Sequence, residues 1–557
     1  LYGLPTPYNL GVPKWTVAAT VFVVAWVCYL PGNLACADSM WSIPTAVSLI
    51  DERNADLDEY LPILRARNFV LTQQVRGHYY TIYPFGTSIM AAPAVVLLRP
   101  IAAAVRRFAP SVWSRLERMH AERSCSPLDA EPVIALHAWT EHITASAIVA
   151  AVVVVMFFIA AREVPLPAAA ATALVLAFGT SAWSTASRAL WQHGPSMLLL
   201  ASALLVQLRG GRMLWVGALL ASAYVVRPTN VIPLAAAAAW TLLSRPRELP
   251  SFLAGAAGVL VLFVWSNERI YGAWLPPYFR PGFYSPNPFK GEALAGVLVS
   301  PSRGLFVFSP ILLLSFAGLA IKAAGRRLTL LDLSLAGCIV LHWIAISTTN
   351  GLWWGGASYG PRLFTDLVPY LMYLLLPVVG WLAAAQGGQR TAAIAGVAAL
   401  VVVSVAMHAQ GALNPAALAW NAFPEPIDYN PVRVWDWKEP QFLAGITFSS
   451  APLQPVDLSV IACSAPPGVP GAPTIVENHG GTVVLTWTPA PGPVAVYVMN
   501  VGSRPGLNDA PPREARDVLR PTIVARRVPP GTYFVRVHGR NRCGDGPSSS
   551  EVAVTVR

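Results

Sequence analysis

The stretch "TVAATVFVVAWVCYLPGNLACADSMWS", residues 16–42, decides the fold. Its apolar part, taken over 15–31, has the length that a bilayer-spanning helix needs, roughly 17–25 residues. The chain then leaves the apolar run at Pro31 and Gly32 and reaches a carboxylate, Asp38, beside Trp41. The run predicts a first membrane span, and the acid sits where the chain emerges. An acid at that place reads in two ways. It is a solvated span end, or it is placed for chemistry.

The pattern recurs along the chain. Of 557 residues, 55% are hydrophobic and 12% charged, with mean hydropathy +0.51. Soluble domains carry about 25% charged residues. Apolar runs predict further spans at 86–105, 139–161, 166–184, 190–207, 213–227, 229–244, 250–269, 305–322, 331–348, 364–385 and 391–410. The expected fold is a polytopic α-helical membrane protein of roughly 11–13 spans. No cleavable signal pattern accompanies 15–31, so it reads as a first span.

The formal net charge is +11, and nucleic acid is not the partner it implies. Arginines concentrate in short connections between apolar runs: Arg209 and Arg212, Arg245 and Arg247, Arg326 and Arg327, Arg390. That is the positive-inside pattern of cytoplasmic loops. The opposite side then receives Asp38, "ASRALWQHG", "VVRPTN", residues 270–304, "STTNGLWWGGASYGPR" and everything after 411. With Asp38 and the C-terminus on one side, the number of spans must be odd, yet twelve runs are apolar. Residues 86–138 hold the discrepancy. There Arg106, Arg107, Arg115, Arg118 and Arg123 follow an apolar run and argue for a cytoplasmic 106–131.

Composition changes at about 411. Residues 1–410 form the expected membrane domain, 411–464 an extracytoplasmic linker, and 465–557 a small β-sandwich. In the last part "TVVLTW", "VAVYVMNVG", "TIVARRV", "GTYFVRVHGRN" and "EVAVTV" alternate as strands between turn signals. The six cysteines show no zinc spacing. Cys28 and Cys338 lie in apolar runs. Cys463 and Cys543 fall in the polar C-terminal part, where an oxidising compartment would allow a disulfide.

Five groups on the side of Asp38 carry chemistry-bearing residues. After Asp38, "WSIPTAVSLIDERNADLDEY" predicts a surface helix starting near Pro44, with Ile43, Val47 and Ile50 on one side. "RGHYYTIYPFGTS" follows, with Tyr83. His193 lies in "SRALWQHGPS", beside Arg188 and Gln192. Arg227 lies in "VVRPTN" within an apolar stretch; an intramembrane arginine costs ~2.5–3.5 kcal/mol and is kept for function or snorkels from a hairpin apex. Residues 270–304 contain Tyr278, Arg280, Lys290 and Arg303 among aromatics. "NGLWWGGASYGPRLFTDLVPYL" supplies Trp353, Trp354, Tyr359 and Arg362. Guanidinium groups suit phosphate through paired hydrogen bonds. Aromatics at span ends also serve as plain interfacial belts. No Walker, GxSxG, HExxH or GxGxxG motif has a supporting context.

In their order, the Asp-bearing first loop, the surface helix, "YPFGTSIMAAPAV", "SPSRGLFVFSP" and "GGASYGPRLFTDLVPYL" resemble the GT-C superfamily of integral-membrane glycosyltransferases. The branch they resemble uses polyprenyl-phosphate sugars and includes mannosyltransferases and aminoarabinose transferases. The resemblance spans residues 15 to about 445. It implies a lipid-linked sugar donor, an extracytoplasmic glycan, lipid or protein acceptor, and inversion by single displacement. It makes Asp38 the general base. Arg227, Arg280, Arg303 and Arg362 become candidates for the leaving lipid phosphate, with His193, Tyr83 and Tyr359 as further substrate contacts. Some members bind a divalent metal and many do not; no cofactor is expected and no ligand set is fixed. The chain has no clear second acidic motif, and "TIYPFGTS" stands where the aminoarabinose branch has Lys-Pro-Pro. The C-terminal strands, with Trp487, Tyr533 and "GDGPSS", resemble a fibronectin type III domain. The implied location is a bacterial cytoplasmic membrane with this domain outside. Two other readings use the same residues: a transporter or flippase of an anionic lipid, and a non-catalytic envelope protein binding a polymer through its sandwich. An internal repeat, which would favour transport, is not evident.

Overall fold

A computed structural model describes residues 12–34, 38–66, 71–123, 132–280, 287, 290–349, 351–422, 426–428, 430–447, 463–479, 481–515, 518, 521–525 and 528–556. The chain divides into two compact units. One is Leu1–Leu418 with Pro440–Leu443, and the other is Ala419–Glu439 with Ala444–Arg557. The expected linker 411–464 is therefore split. Pro440–Leu443 returns to the first unit because the Gln441 side-chain amide donates to the carbonyls of Ser358 and Ala417, at 3.0 and 2.9 Å. Linker residues 423–425, 429 and 448–462 lie outside the described residues.

The first unit is helical. It opens with α1 (Lys14–Tyr29), α2 (Ser42–Asp51) and α3 (Leu61–Ala66); α2 covers the first half of the stretch 41–60 in which a helix is expected. Residues read only as aromatic-rich then form a hairpin, β1 (Thr72–Val75) and β2 (His78–Thr81), paired from Thr72↔Thr81 to Val75↔His78. Its two-residue turn, Arg76–Gly77, takes positive φ of 53° and 93°, which matches the twist of the strands it joins. Next come α4 (Gly86–Phe108), α5 (Pro110–Arg123) and α6 (Pro132–Ala160). The apolar runs continue as α7 (Leu166–Phe178), α8 (His193–Leu208), α9 (Met213–Val226), α10 (Val231–Ser244) and α11 (Leu249–Tyr271). After the polar loop come α12 (Lys290–Val299), α13 (Leu305–Phe308), α14 (Leu314–Ala324) and α15 (Leu330–Thr348), then α16 (Val368–Ala384), α17 (Gly387–Leu413) and α18 (Pro415–Ala419).

Among the described residues, six helices are long and apolar enough to cross a membrane, and five shorter apolar ones accompany them. Their packing suits a lipid solvent. α11 leaves Leu253, Val261, Leu262 and Trp265 exposed, a stripe that water would not tolerate on this scale. On its other side it meets α9 backbone to backbone. A Cβ on Gly255 would sit 1.9 Å from the Leu214 carbonyl oxygen, so only glycine allows this approach. Small residues at the contact are how helices pack where burial of apolar surface gives no drive.

One contact aligns the end of α1 with the N-terminal half of α6, and a second ties α6 to the segment before α8. His142 Nε2 lies 3.0 Å from the Leu30 carbonyl, and the Glu141 carboxylate accepts the Leu190 amide at 2.9 Å. α2 packs along α4 near this level. Ile43 and Ala46 meet Ala91, Val95, Ala145 and Leu190, and Arg99 of α4 clamps Asp51 of α2 with two bonds of 2.8 and 2.6 Å.

The second unit carries β3 (Thr474–His479), β4 (Thr482–Thr486), β5 (Val496–Gly502), β6 (Ala510–Ala515), β7 (Thr522–Ala525), β8 (Gly531–Asn541), β9 (Gly544–Asp545) and β10 (Val552–Val556). One sheet runs β3-β4-β7; the other runs β10-β8-β5-β6, with β9 paired to β8. Alternate residues of both sheets, including Val483, Leu485, Tyr497, Ile523, Val537 and Val554, bury together around Trp487. This is the expected β-sandwich. Cys463 and Cys543 are joined in it as a disulfide.

Candidate functional site

Asp38 is held by the way the chain leaves α1. The last carbonyls of a helix lack intrahelical donors. Buried Arg188 supplies them: its guanidinium donates to the carbonyls of Tyr29 and Pro31, the latter at 2.8 Å, while Nε donates to Ser187 Oγ at 3.0 Å. Asn33 ties the exit to the end of α17. Its amide donates to the Ala412 carbonyl at 2.8 Å and its side chain to those of Gly411 and Asn414 at 3.1 and 2.8 Å. Gly32, at φ 111°, is required here, because a Cβ would lie 2.2 Å from the Ala412 oxygen. Asp38 follows in the turn before α2, partly exposed at 29% of its side chain.

Arg362 meets it. The residue opens a 3-10 turn, Arg362–Leu367, ahead of α16. Its guanidinium forms an ion pair with Asp38 Oδ2. It also donates to the Gly355 carbonyl and to His193 Nε2, both at 3.2 Å, and stacks 4.0 Å over the Trp191 ring. Tyr83 lies near enough to Asp38 for the carboxylate to act on its hydroxyl, and its ring stands 5.4 Å from that of Tyr278, edge to face. Burial, then the Asp38 charge, push the Tyr83 hydroxyl well above its ordinary range. Tyr83 therefore stays protonated as a donor.

Behind Arg362 lies a second, fully buried charge group. Asp366 Oδ1 is 3.2 Å from His193 Nδ1, and its Oδ2 is 3.1 Å from the Arg227 guanidinium. His193 Nε2 accepts from Arg362, and its Nδ1 faces both Asp366 and Arg227. Arg227 also touches the imidazole and donates Nε–H to Thr229 at 3.1 Å. A continuous chain thus runs Asp38, Arg362, His193, Asp366, Arg227.

Of the residues singled out in the sequence, Asp38, Tyr83, Arg362, His193 and Arg227 are brought together, with Tyr278 beside them. Three are not. Arg303 is buried and its guanidinium is spent on the carbonyls of Trp354, Ser302 and Gly356 and on Gln441 Oε1, at 2.7, 2.7, 3.2 and 2.5 Å. These bonds organise the loop ahead of Arg362, and Arg303 lines one cavity with Arg362, Trp353 and Trp354. Tyr359 is buried against Phe308, and its hydroxyl donates to the Met407 carbonyl at 2.6 Å. Arg280 is exposed and donates to the Leu275 carbonyl at 3.0 Å. Sequence reasoning missed Asp366 and the capping role of Arg188. The signal for Asp366 was present, since it is an acid at the head of an apolar span in "PRLFTDLVPYL".

The arrangement offers a carboxylate able to accept a proton, a guanidinium within reach of the same point, and a phenol donor. Arg362 is fixed on three further partners, which hold its guanidinium in place when an anion exchanges with Asp38. No family model matches the chain, and no curated protein matches it either.

Proposed function

We propose that the first unit is an inverting membrane glycosyltransferase that moves a sugar from a polyprenyl-phosphate-linked donor to an extracytoplasmic glycan, lipid or protein acceptor. The observation that carries this reading is the meeting of Asp38 with Arg362 across the gap between the first loop and the head of α16. A lipid phosphate entering the site competes for Arg362 with two acceptor oxygens and frees Asp38. The acceptor O–H then attacks the anomeric carbon, and its proton passes to Asp38. The bond from the anomeric carbon to the phosphate oxygen breaks, and its electron pair leaves with the lipid phosphate. Arg362 stabilises that growing charge, with Tyr83 as a nearby donor.

The alignment of the end of α1 with the N-terminal half of α6 supports a matching topology. The chain between Leu30 and His142 crosses the membrane an even number of times. α5 is too charged to cross, so α4 lies beside α2 rather than across the bilayer. Eleven of the twelve apolar runs then cross, an odd number, with Asp38 and the second unit outside. The disulfide of the second unit fits an oxidising, extracytoplasmic compartment of a bacterial envelope. Its strand order and the Tyr533 hydroxyl donating to the Pro529 carbonyl at 3.0 Å support a fibronectin type III-like domain, whose tyrosine corner has this form.

The test is to incubate the purified chain with a panel of polyprenyl-phosphate sugars and candidate acceptors, following polyprenyl phosphate release. Release by the wild type, reduced roughly 10²–10³-fold by Arg362→Gln, is the expected result. No release with any donor, together with movement of lipid across vesicles, would replace this reading with the transporter.

A further inference from the structure

A second cluster lies on the same first loop and shares no atom with the Asp38 site. Asp56 and Asp58 stand between α2 and α3, and His78 opens β2. One ligand-type atom from each of the three lies within 4.8 Å of the other two. His78 Nδ1 is 2.7 Å from Asp58 Oδ2 and 3.8 Å from Asp56 Oδ2. The other Asp58 oxygen, Oδ1, accepts the Tyr79 amide at 2.9 Å, and the Leu57 amide donates to the Tyr79 carbonyl at 2.7 Å. The hairpin is therefore already pinned to this loop, with Oδ2 of Asp58 turned towards the imidazole.

Asp56 is not explained by that pinning. Its side chain is about nine-tenths buried, at 9% exposure. Among the described residues no lysine or arginine pairs with it. Its Oδ1 takes the Asp58 amide at a long 3.4 Å, and among the described residues no hydrogen bond reaches its Oδ2, which faces His78. A carboxylate taken from water without a counter-charge is costly, and proteins resolve this by pairing it or by metal coordination.

We propose that Asp56, Asp58 and His78 bind a divalent transition cation of the zinc or manganese type, which staples the hairpin to the loop after α2. A cation about 2.1 Å from each ligand atom needs roughly 3.4 Å between ligand atoms. The observed 2.7 and 3.8 Å bracket that spacing. Imidazole with two carboxylates selects zinc or manganese over calcium and magnesium, which take oxygen ligands. The cation replaces the proton shared by His78 and Asp58, and it gives Asp56 the positive partner it lacks. His78 and Asp58 are exposed at 55% and 40%, so it enters from solvent. Because β2 leads within two residues to Tyr83, the cation also steadies the tyrosine near Asp38. The proposal does not depend on the transfer reaction.

The experiment uses the whole purified chain, stripped with chelator and dialysed, then titrated with zinc alone and with manganese alone. Bound metal is counted by elemental analysis, and hydrogen exchange is followed at 72–83. The expected result is one equivalent bound, slower exchange across the hairpin, and loss of both in Asp56→Asn and in His78→Ala. Hydrogen exchange of those variants without metal, compared with the stripped wild type, shows whether they still fold. Equal metal binding by wild type and by an Asp56→Asn/His78→Ala double variant overturns the proposal, as does binding of neither metal by the wild type.

Discussion

The buried pair Arg227–Asp366 makes a prediction that separates charge compensation from site geometry. The two groups stand 3.1 Å apart, with side-chain exposures of 9% and 0%. Asp366 is the acid that pairs with Arg227. Replacing Asp366 by leucine leaves a guanidinium buried without its counter-charge, and replacing Arg227 leaves the converse. Breaking a buried pair from one side costs about 3–5 kcal/mol, whereas exchanging both partners for apolar residues is often neutral. The double variant Arg227→Leu/Asp366→Leu should therefore recover most of the stability lost by either single variant. Recovery will be partial, because His193 also loses its acceptor. The assay is the temperature of half-loss of folded protein in detergent for all four chains. Transfer activity should stay low in the double variant, since His193 no longer holds Arg362. Additive losses would refute the reasoning, as would full activity in the refolded double variant.

Three further outcomes follow from other parts of the molecule. Arg303→Ala should lower yield and melting temperature, because it leaves buried carbonyls of the 353–356 loop unsatisfied at about 1–3 kcal/mol each; Arg362→Gln, read by the same melt, should lower activity with far less effect on folding. Reduction of Cys463–Cys543, which closes a separation of 80 residues, should add 2 Da to the protein mass and destabilise the β unit by about 4 kcal/mol, read as faster hydrogen exchange in β4 and β8. Arg540 beside Asp545 holds that carboxyl below its ordinary value of 3.8; this contribution is complete above 3.8 and is lost as pH falls through the lowered folded value. The exchange difference at β8–β9 between wild type and Asp545→Asn should accordingly be full at neutral pH and close only in that acid window.

The apolar runs were legible because span length is set by the bilayer, and the predicted runs are largely helical, although 305–322 is broken around Ser309 and 166–184 after Phe178. The sandwich was legible from alternation. What the sequence could not supply was the level at which helix ends meet. The Leu30–His142 contact joins residues 112 apart in sequence, and the clamp that holds 86–108 beside α2, Arg99 on Asp51, joins residues 48 apart. Residue type and order singled out Asp38, Tyr83 and Arg362, which the structure brings together. They did not tell a guanidinium paired with an acid from one bonded to carbonyls, and so Arg303 and Arg362 looked alike. Asp366 was passed over because attention went to cations. Asp56 and Asp58 carried no signal until hairpin formation brought His78 to them.

The most direct test of the central claim compares wild type with Asp38→Asn in a single-turnover reaction with a polyprenyl-phosphate sugar, measuring donor binding separately. The amide keeps the shape but cannot take the acceptor proton. The account predicts that donor binding is retained while sugar transfer and polyprenyl phosphate release fall by roughly 10²–10⁴-fold. Transfer by Asp38→Asn at the wild-type rate would contradict it.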